Sequence, residues 1–182
     1  MLVILMFLMP LVTMRLVAEE RRQNTFELLL TSPIRDVEVI LGKFLGALAF
    51  LLFLLLLTAP YPLLLYAYGK PETGPILTGY LGLLLMGCAL VAIGLFFSSV
   101  TDSQMVAAAL SFMAVIVIWL IKWGAQSATG AWNRILAFLS FYDRFDEFSR
   151  GVIDSSSVIY LLSFAVFFLY LSTRSLESRS WR

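Results

Sequence analysis

The sequence contains no histidine, a single cysteine and little charge: 12 acidic and 13 basic side chains among 182 residues, 14% of the chain. Each shortage removes a class of function. Without an imidazole there is no His base, so a serine hydrolase triad is excluded, and Ser98, Ser99 and Cys88 have no visible activating partner. A zinc centre of the His or Cys kind is excluded for the same reason. Cys88 alone cannot form an intramolecular disulfide. The chain has neither G-x-x-x-x-G-K-[ST] nor G-x-S-x-G, so it carries no P-loop for ATP and no nucleophile elbow. A net charge of +1 without a block of Lys and Arg offers no nucleic-acid surface.

What is present is hydrocarbon. Hydrophobic residues make up 60% of the chain and the mean hydropathy is +0.91, against roughly 45–50% apolar residues in soluble domains. A chain of this size cannot bury that much apolar surface in water, so it is an integral membrane protein. Residues 1–9 are apolar from the start and lack a basic n-region, so no cleavable signal peptide is expected.

A span needs about 20 apolar residues to cross a hydrocarbon core ~30 Å thick. Five stretches meet or approach that length, at residues 2–18, 44–68, 76–100, 105–123 and 155–172. The expected fold is therefore all-α, a single polytopic helix bundle over residues 1–182. Pro10 lies inside the first stretch, and Pro60 and Pro62 should kink or end the second near its far end. Gly42 and Gly46 form a G-x-x-x-G pair, and Gly87 and Gly94 share a helix face, which suits close helix packing.

Two stretches do not span. Residues 15–43 hold the densest charge. Within them Asn24 and Glu27 have capping-box spacing, which predicts a short helix carrying Phe26, Leu28, Leu29 and Leu30 and stopping before Pro33. Ser32-Pro33 then reads as the cap and first residue of the next helix. Residues 125–154 hold Phe138, Phe141, Tyr142, Phe145 and Phe148 at helical spacing among charged residues. They read as an amphipathic helix, either at the membrane interface or packed over the span ends. If residues 15–43 lie in the cytoplasm, eight basic residues fall inside (Arg15, Arg21, Arg22, Arg35, Lys43, Arg174, Arg179 and Arg182) and five outside. That bias places the N-terminus and residues 125–154 outside and the C-terminus inside.

The run Met14-Arg15-Leu16 through Glu19-Glu20-Arg21-Arg22-Gln23-Asn24-Thr25-Phe26-Glu27-Leu28-Leu29-Leu30-Thr31-Ser32-Pro33, followed by Leu41-Gly42-Lys43-Phe44, resembles the first cytoplasmic loop of ABC-2-type transporter permeases. The gliding-motility-associated branch is the nearest in pattern. Weaker matches lie at 148–154 and 174–179. The resemblance implies the permease subunit of an ATP-driven exporter in the plasma (inner) membrane, paired with a second copy or a sister permease. ATP and magnesium would be held by separate ATP-binding subunits, with no cofactor in this chain and membrane lipids around it. It implies a coupling helix that docks on the ATP-binding subunit. Here Phe26, Leu28 and Leu29 would be buried anchors, and Glu19, Glu20, Arg21, Arg22 and Glu27 would set register, with Thr25, Thr31, Ser32 and Pro33 completing the element. The family pattern has six spans, so the first is expected to be missing from these five.

Two other classes compete. A membrane-embedded or lipid-modifying enzyme would need a polar cluster inside the spans, and none is visible. A non-transporting scaffold or truncated permease paralogue is the alternative; it would bind a partner without changing that partner's ATP turnover.

Overall fold

A computed structural model of the chain describes residues 1–22, 35–69, 72–127 and 141–180. Among these residues every regular element is an α-helix: α1 (Leu2–Thr13), α2 (Ala18–Arg22), α3 (Asp36–Leu57), α4 (Pro60–Tyr68), α5 (Thr73–Val100), α6 (Gln104–Ser127), α7 (Phe141–Ser149) and α8 (Ser155–Ser180). Hydrocarbon offers backbone amides no water, so a spanning segment must pair them internally, and an open helix bundle is one of only two ways to do so. Five described stretches are long and apolar enough to cross a membrane: Leu2–Glu20, Asp36–Tyr68, Thr73–Val100, Gln104–Ile121 and Ser155–Ser178.

The bundle is organised around α5. This helix is apolar on every side and is buried without interruption from Leu85 to Leu95. A helix hydrophobic all round belongs in the interior of an assembly. Of its apolar window, 78% is buried, against 17% for the window in α6. It packs against α1, α3, α6, α7 and α8. The peripheral helices turn large apolar side chains outward, among them Phe7, Leu45, Phe53, Ile116 and Phe167. In a bilayer that outer face meets acyl chains.

Small residues let neighbours approach α5. A β-carbon at Gly94 would overlap Thr13 Oγ1 of α1, with Thr13 Cβ at 2.7 Å. One at Gly87 would overlap Leu51 Cδ2 of α3, with Leu51 Cδ1 at 2.9 Å. At Gly82 it would lie 2.8 Å from Phe148 Cβ. At Gly42 and Gly46, by contrast, an added β-carbon would meet nothing within 4 Å.

The helix of the second span breaks at Thr58 and Ala59, whose amides bond to Leu55 and Leu56 carbonyls in a tightened last turn. Pro60 then opens α4, where its missing N–H is one of the groups without an intrahelical partner anyway. At the other extreme α8 continues past the expected end of its span at 172 to Ser180. The Arg174–Glu177 ion pair at 2.8 Å, one turn apart, supports the extra turns. In the same way α6 runs to Ser127 rather than 123.

α7 is packed into the bundle. Phe141 and Phe148 are fully buried, and Phe141 stacks edge-on against Phe164 of α8 at 4.7 Å between centroids. The helix ends at Gly151, which adopts φ +87°, a left-handed conformation that glycine enters without a β-carbon penalty.

Candidate functional site

The alternating spans gather the charged side chains at two opposite ends. At one end stand the C-termini of α1, α5 and α8 and the N-termini of α3 and α6, with Arg15, Glu19, Glu20, Lys43, Asp102, Arg174 and Glu177. This is the end from which residues 23–34 leave α2 and return to α3. The sequence-predicted coupling residues Thr25, Phe26, Glu27, Leu28, Leu29, Thr31, Ser32 and Pro33 lie outside the described residues. So does the expected opening of the next helix at Ser32-Pro33; the described part of that helix begins at Asp36. Asp36 and Glu38 sit in its first turn, where the helix dipole favours acidic groups. Glu19 and Glu20 open α2, and the backbone of Arg21 and Arg22 completes it.

The base of this segment is fastened to the central helix. After α1 the chain makes a turn over residues 14–17 before α2. Ser98, near the end of α5 and fully buried, sits against that turn. Its hydroxyl oxygen accepts the backbone N–H groups of Val17 and Ala18, both at 3.1 Å, and donates to the Met14 carbonyl at 3.1 Å. One side chain thus satisfies two of the orphan amides at the start of α2 and a carbonyl at the end of α1. The next residue, Ser99, receives the opposite side of the bundle: the Ser175 hydroxyl of α8 reaches the Ser99 carbonyl at 3.3 Å.

Lys43 of α3 closes the same turn. Its ammonium donates to the Leu16 carbonyl and pairs with Glu20 Oε1 at 2.6 Å. The Lys43 side chain is only 15% exposed, so this pair is screened less than an open surface bridge. Three helices, α3, α5 and α8, therefore converge on the point where the charged segment enters the membrane body.

Sequence reasoning found no activating partner for Ser98 and Ser99 and gave them no role. The signal available was the spacing: Gly87, Gly94 and Ser98 fall at i, i+7 and i+11, so the glycine stripe, followed one further turn, reaches Ser98. The stripe does not serve one neighbour, since Gly87 faces Leu51 of α3 and Gly94 faces Thr13 of α1.

The opposite end holds a second polar cluster, built on α7. Arg144 is 8% exposed; its guanidinium donates to the hydroxyls of Ser156 and Ser157, both at 3.1 Å, and lies 5.0 Å over the Tyr160 ring. Ser157 donates in turn to Glu147 Oε2 at 2.7 Å. Asp154 Oδ1 accepts the Ser156 N–H at 3.1 Å, capping α8. Thr78 of α5 donates to the Phe148 carbonyl at 2.7 Å. Arg144 and Glu147 share Ser157, so the cation is compensated within the cluster and serves to fix α7 to α8.

The fold is thus a polytopic helical membrane protein with a charged segment clamped at one end. A family model for ABC-2 family transporter proteins matches residues 1–174. The chain belongs to this family, whose members are membrane permease components of ABC transporters. No curated protein matches it, and no solved structure does.

Proposed function

We propose that this chain is the transmembrane subunit of an ATP-driven exporter, and that residues 15–43 couple it to a separate ATP-binding subunit on the cytoplasmic face. The observation that carries the reading is the clamp at Ser98. The segment that leaves the membrane is anchored at its base to the one helix that packs against every other span. A displacement of that segment has a direct route into the core of the bundle. A second route runs into α3, whose Lys43 grips the same turn.

The remaining parts follow from the resemblance of the first loop. Phe26, Leu28 and Leu29 anchor in a cleft of the ATP-binding subunit, and Glu19, Glu20, Arg21, Arg22 and Glu27 set register around them. The chain works with a second copy or a sister permease; Gly42 and Gly46, where an added β-carbon meets none of the described residues within 4 Å, suit that contact. ATP and magnesium stay in the partner. The loop pattern favours the gliding-motility branch and an inner-membrane setting.

The test is ATP turnover of the assembled complex in vesicles. Glu27→Arg reverses the charge of a register position and Leu28→Asp puts a charge at an anchoring one, and a buried interface charge left unpaired costs about 2–5 kcal/mol. Both variants are expected to insert normally and to abolish the permease's effect on the ATPase rate. A wild-type effect kept by both variants would contradict coupling through this segment, and a wild-type chain that leaves the partner's turnover unchanged would assign it to the scaffold class instead.

A further inference from the structure

Within the proposed coupling segment, Glu20 faces its own chain. Oε1 pairs with the Lys43 ammonium at 2.6 Å, and Oε2 is buried. Neither oxygen is presented to a protein docking from outside. Lys43 stands in the second turn of α3 beside Ile40 and Phe44, which are both buried. Its alkyl stem runs along that apolar face while its ammonium reaches the Leu16 carbonyl and Glu20. The Asp146–Arg150 and Arg174–Glu177 pairs each lie within one helix, and their arginine side chains are 75% and 61% exposed. The Glu20–Lys43 pair joins two elements, with the Lys43 side chain mostly buried.

Residues 23–34 leave from α2 and return into α3, so the pair closes the base of that segment. Helix α2 has five residues, too few to hold a position by its own hydrogen bonds. Its start is tied to α5 through Ser98, and its second half is tied to α3 through Glu20. A force on residues 23–34 then reaches α3 and α5 together instead of swinging α2 alone. We propose that Glu20 and Lys43 are positioning residues that brace the two feet of the segment, and that Glu20 makes no contact with the ATP-binding subunit. The role of the brace rests on the coupling reading; its existence is tested in this chain alone.

The first test is a thermal-unfolding cycle on the full chain in detergent, with Glu20→Ala, Lys43→Met and the double variant. Glu20→Ala leaves a mostly buried ammonium without its carboxylate, whereas the double variant removes both charges. The double variant should therefore melt about 2–4 °C above the value that the two single shifts predict together. Additive shifts would overturn the brace. The second test titrates the ATP-binding subunit onto vesicles holding the permease. Each single variant should lower the maximal change in ATP turnover about fivefold and leave the half-saturating concentration of the subunit where it was. Glu27→Arg, at the docking surface, should raise that concentration. A rise with Glu20→Ala would put this carboxylate in the partner interface and overturn the proposal, as would a full maximal change kept by both single variants. A wild-type chain with no effect on turnover would defeat the coupling reading, and the unfolding cycle would still decide the brace.

Discussion

Removing the Ser98 hydroxyl would strand the amides of Val17 and Ala18, both buried and both bonded to it. Leaving buried donors unsatisfied costs about 1–3 kcal/mol each at most, while single interhelical hydrogen bonds in membranes average about 0.6 kcal/mol. Ser98→Ala is therefore expected to lower stability by about 1–2 kcal/mol, read from thermal unfolding in detergent, and to weaken the response to ATP more than Ser111→Ala, whose hydroxyl only bonds back to Ala107 of its own helix. The glycines divide sharply at the same scale. Gly94→Leu must push into Thr13 and should cost about 1–3 kcal/mol through overpacking. Gly46→Ala meets open space in this chain and should stay within about 0.5 kcal/mol in the isolated subunit.

Among the elements, α7 holds its place by two buried phenyl rings, the Arg144 cluster and the Thr78 bond to the Phe148 carbonyl. Phe148 seats where Gly82 leaves room on α5. Phe148→Ala is expected to cost about 3 kcal/mol, and Gly82→Leu a comparable amount by excluding the ring. Both should release α7 and expose the 141–149 region to protease in vesicles opened to that side, with the other spans intact. The aromatic spacing at Phe141, Phe145 and Phe148 was legible as an amphipathic helix, because helical periodicity depends only on the chain itself. What that face meets was not legible: Gly82 lies over sixty residues earlier, and Arg144 reads as a surface charge until Ser156 and Ser157 are seen beside it. The spans were legible from the lengths of apolar runs, and the break at Thr58 from Pro60 and Pro62. The centrality of α5 follows from its all-round apolarity, but five apolar segments in sequence do not by themselves say which one the others surround. The clamp at Ser98 was hidden because serine at a helix end is so often a solvated terminus.

For the whole molecule, the five spans place α2, the start of α3 and the end of α8 on one side and α7 on the other. In the proposed orientation, which rests on the bias of basic residues, the first side is the cytoplasmic one. With Cys88→Ala as background, a cysteine at Arg15 or Glu177 should react with a membrane-impermeant maleimide only in inside-out vesicles. One at Arg150, an exposed position beyond α7, should react only in right-side-out vesicles. Labelling of all three from one side would contradict the five-span arrangement.

The coupling role of the charged segment is tested most directly by a crosslink. In the Cys88→Ala background a cysteine replaces Phe26, and the co-expressed ATP-binding subunit carries single cysteines along its presumed coupling cleft. The account predicts a disulfide to one or two of those positions, with a yield that changes when ATP is bound. A correctly inserted chain that forms no such disulfide, with or without ATP, would contradict it.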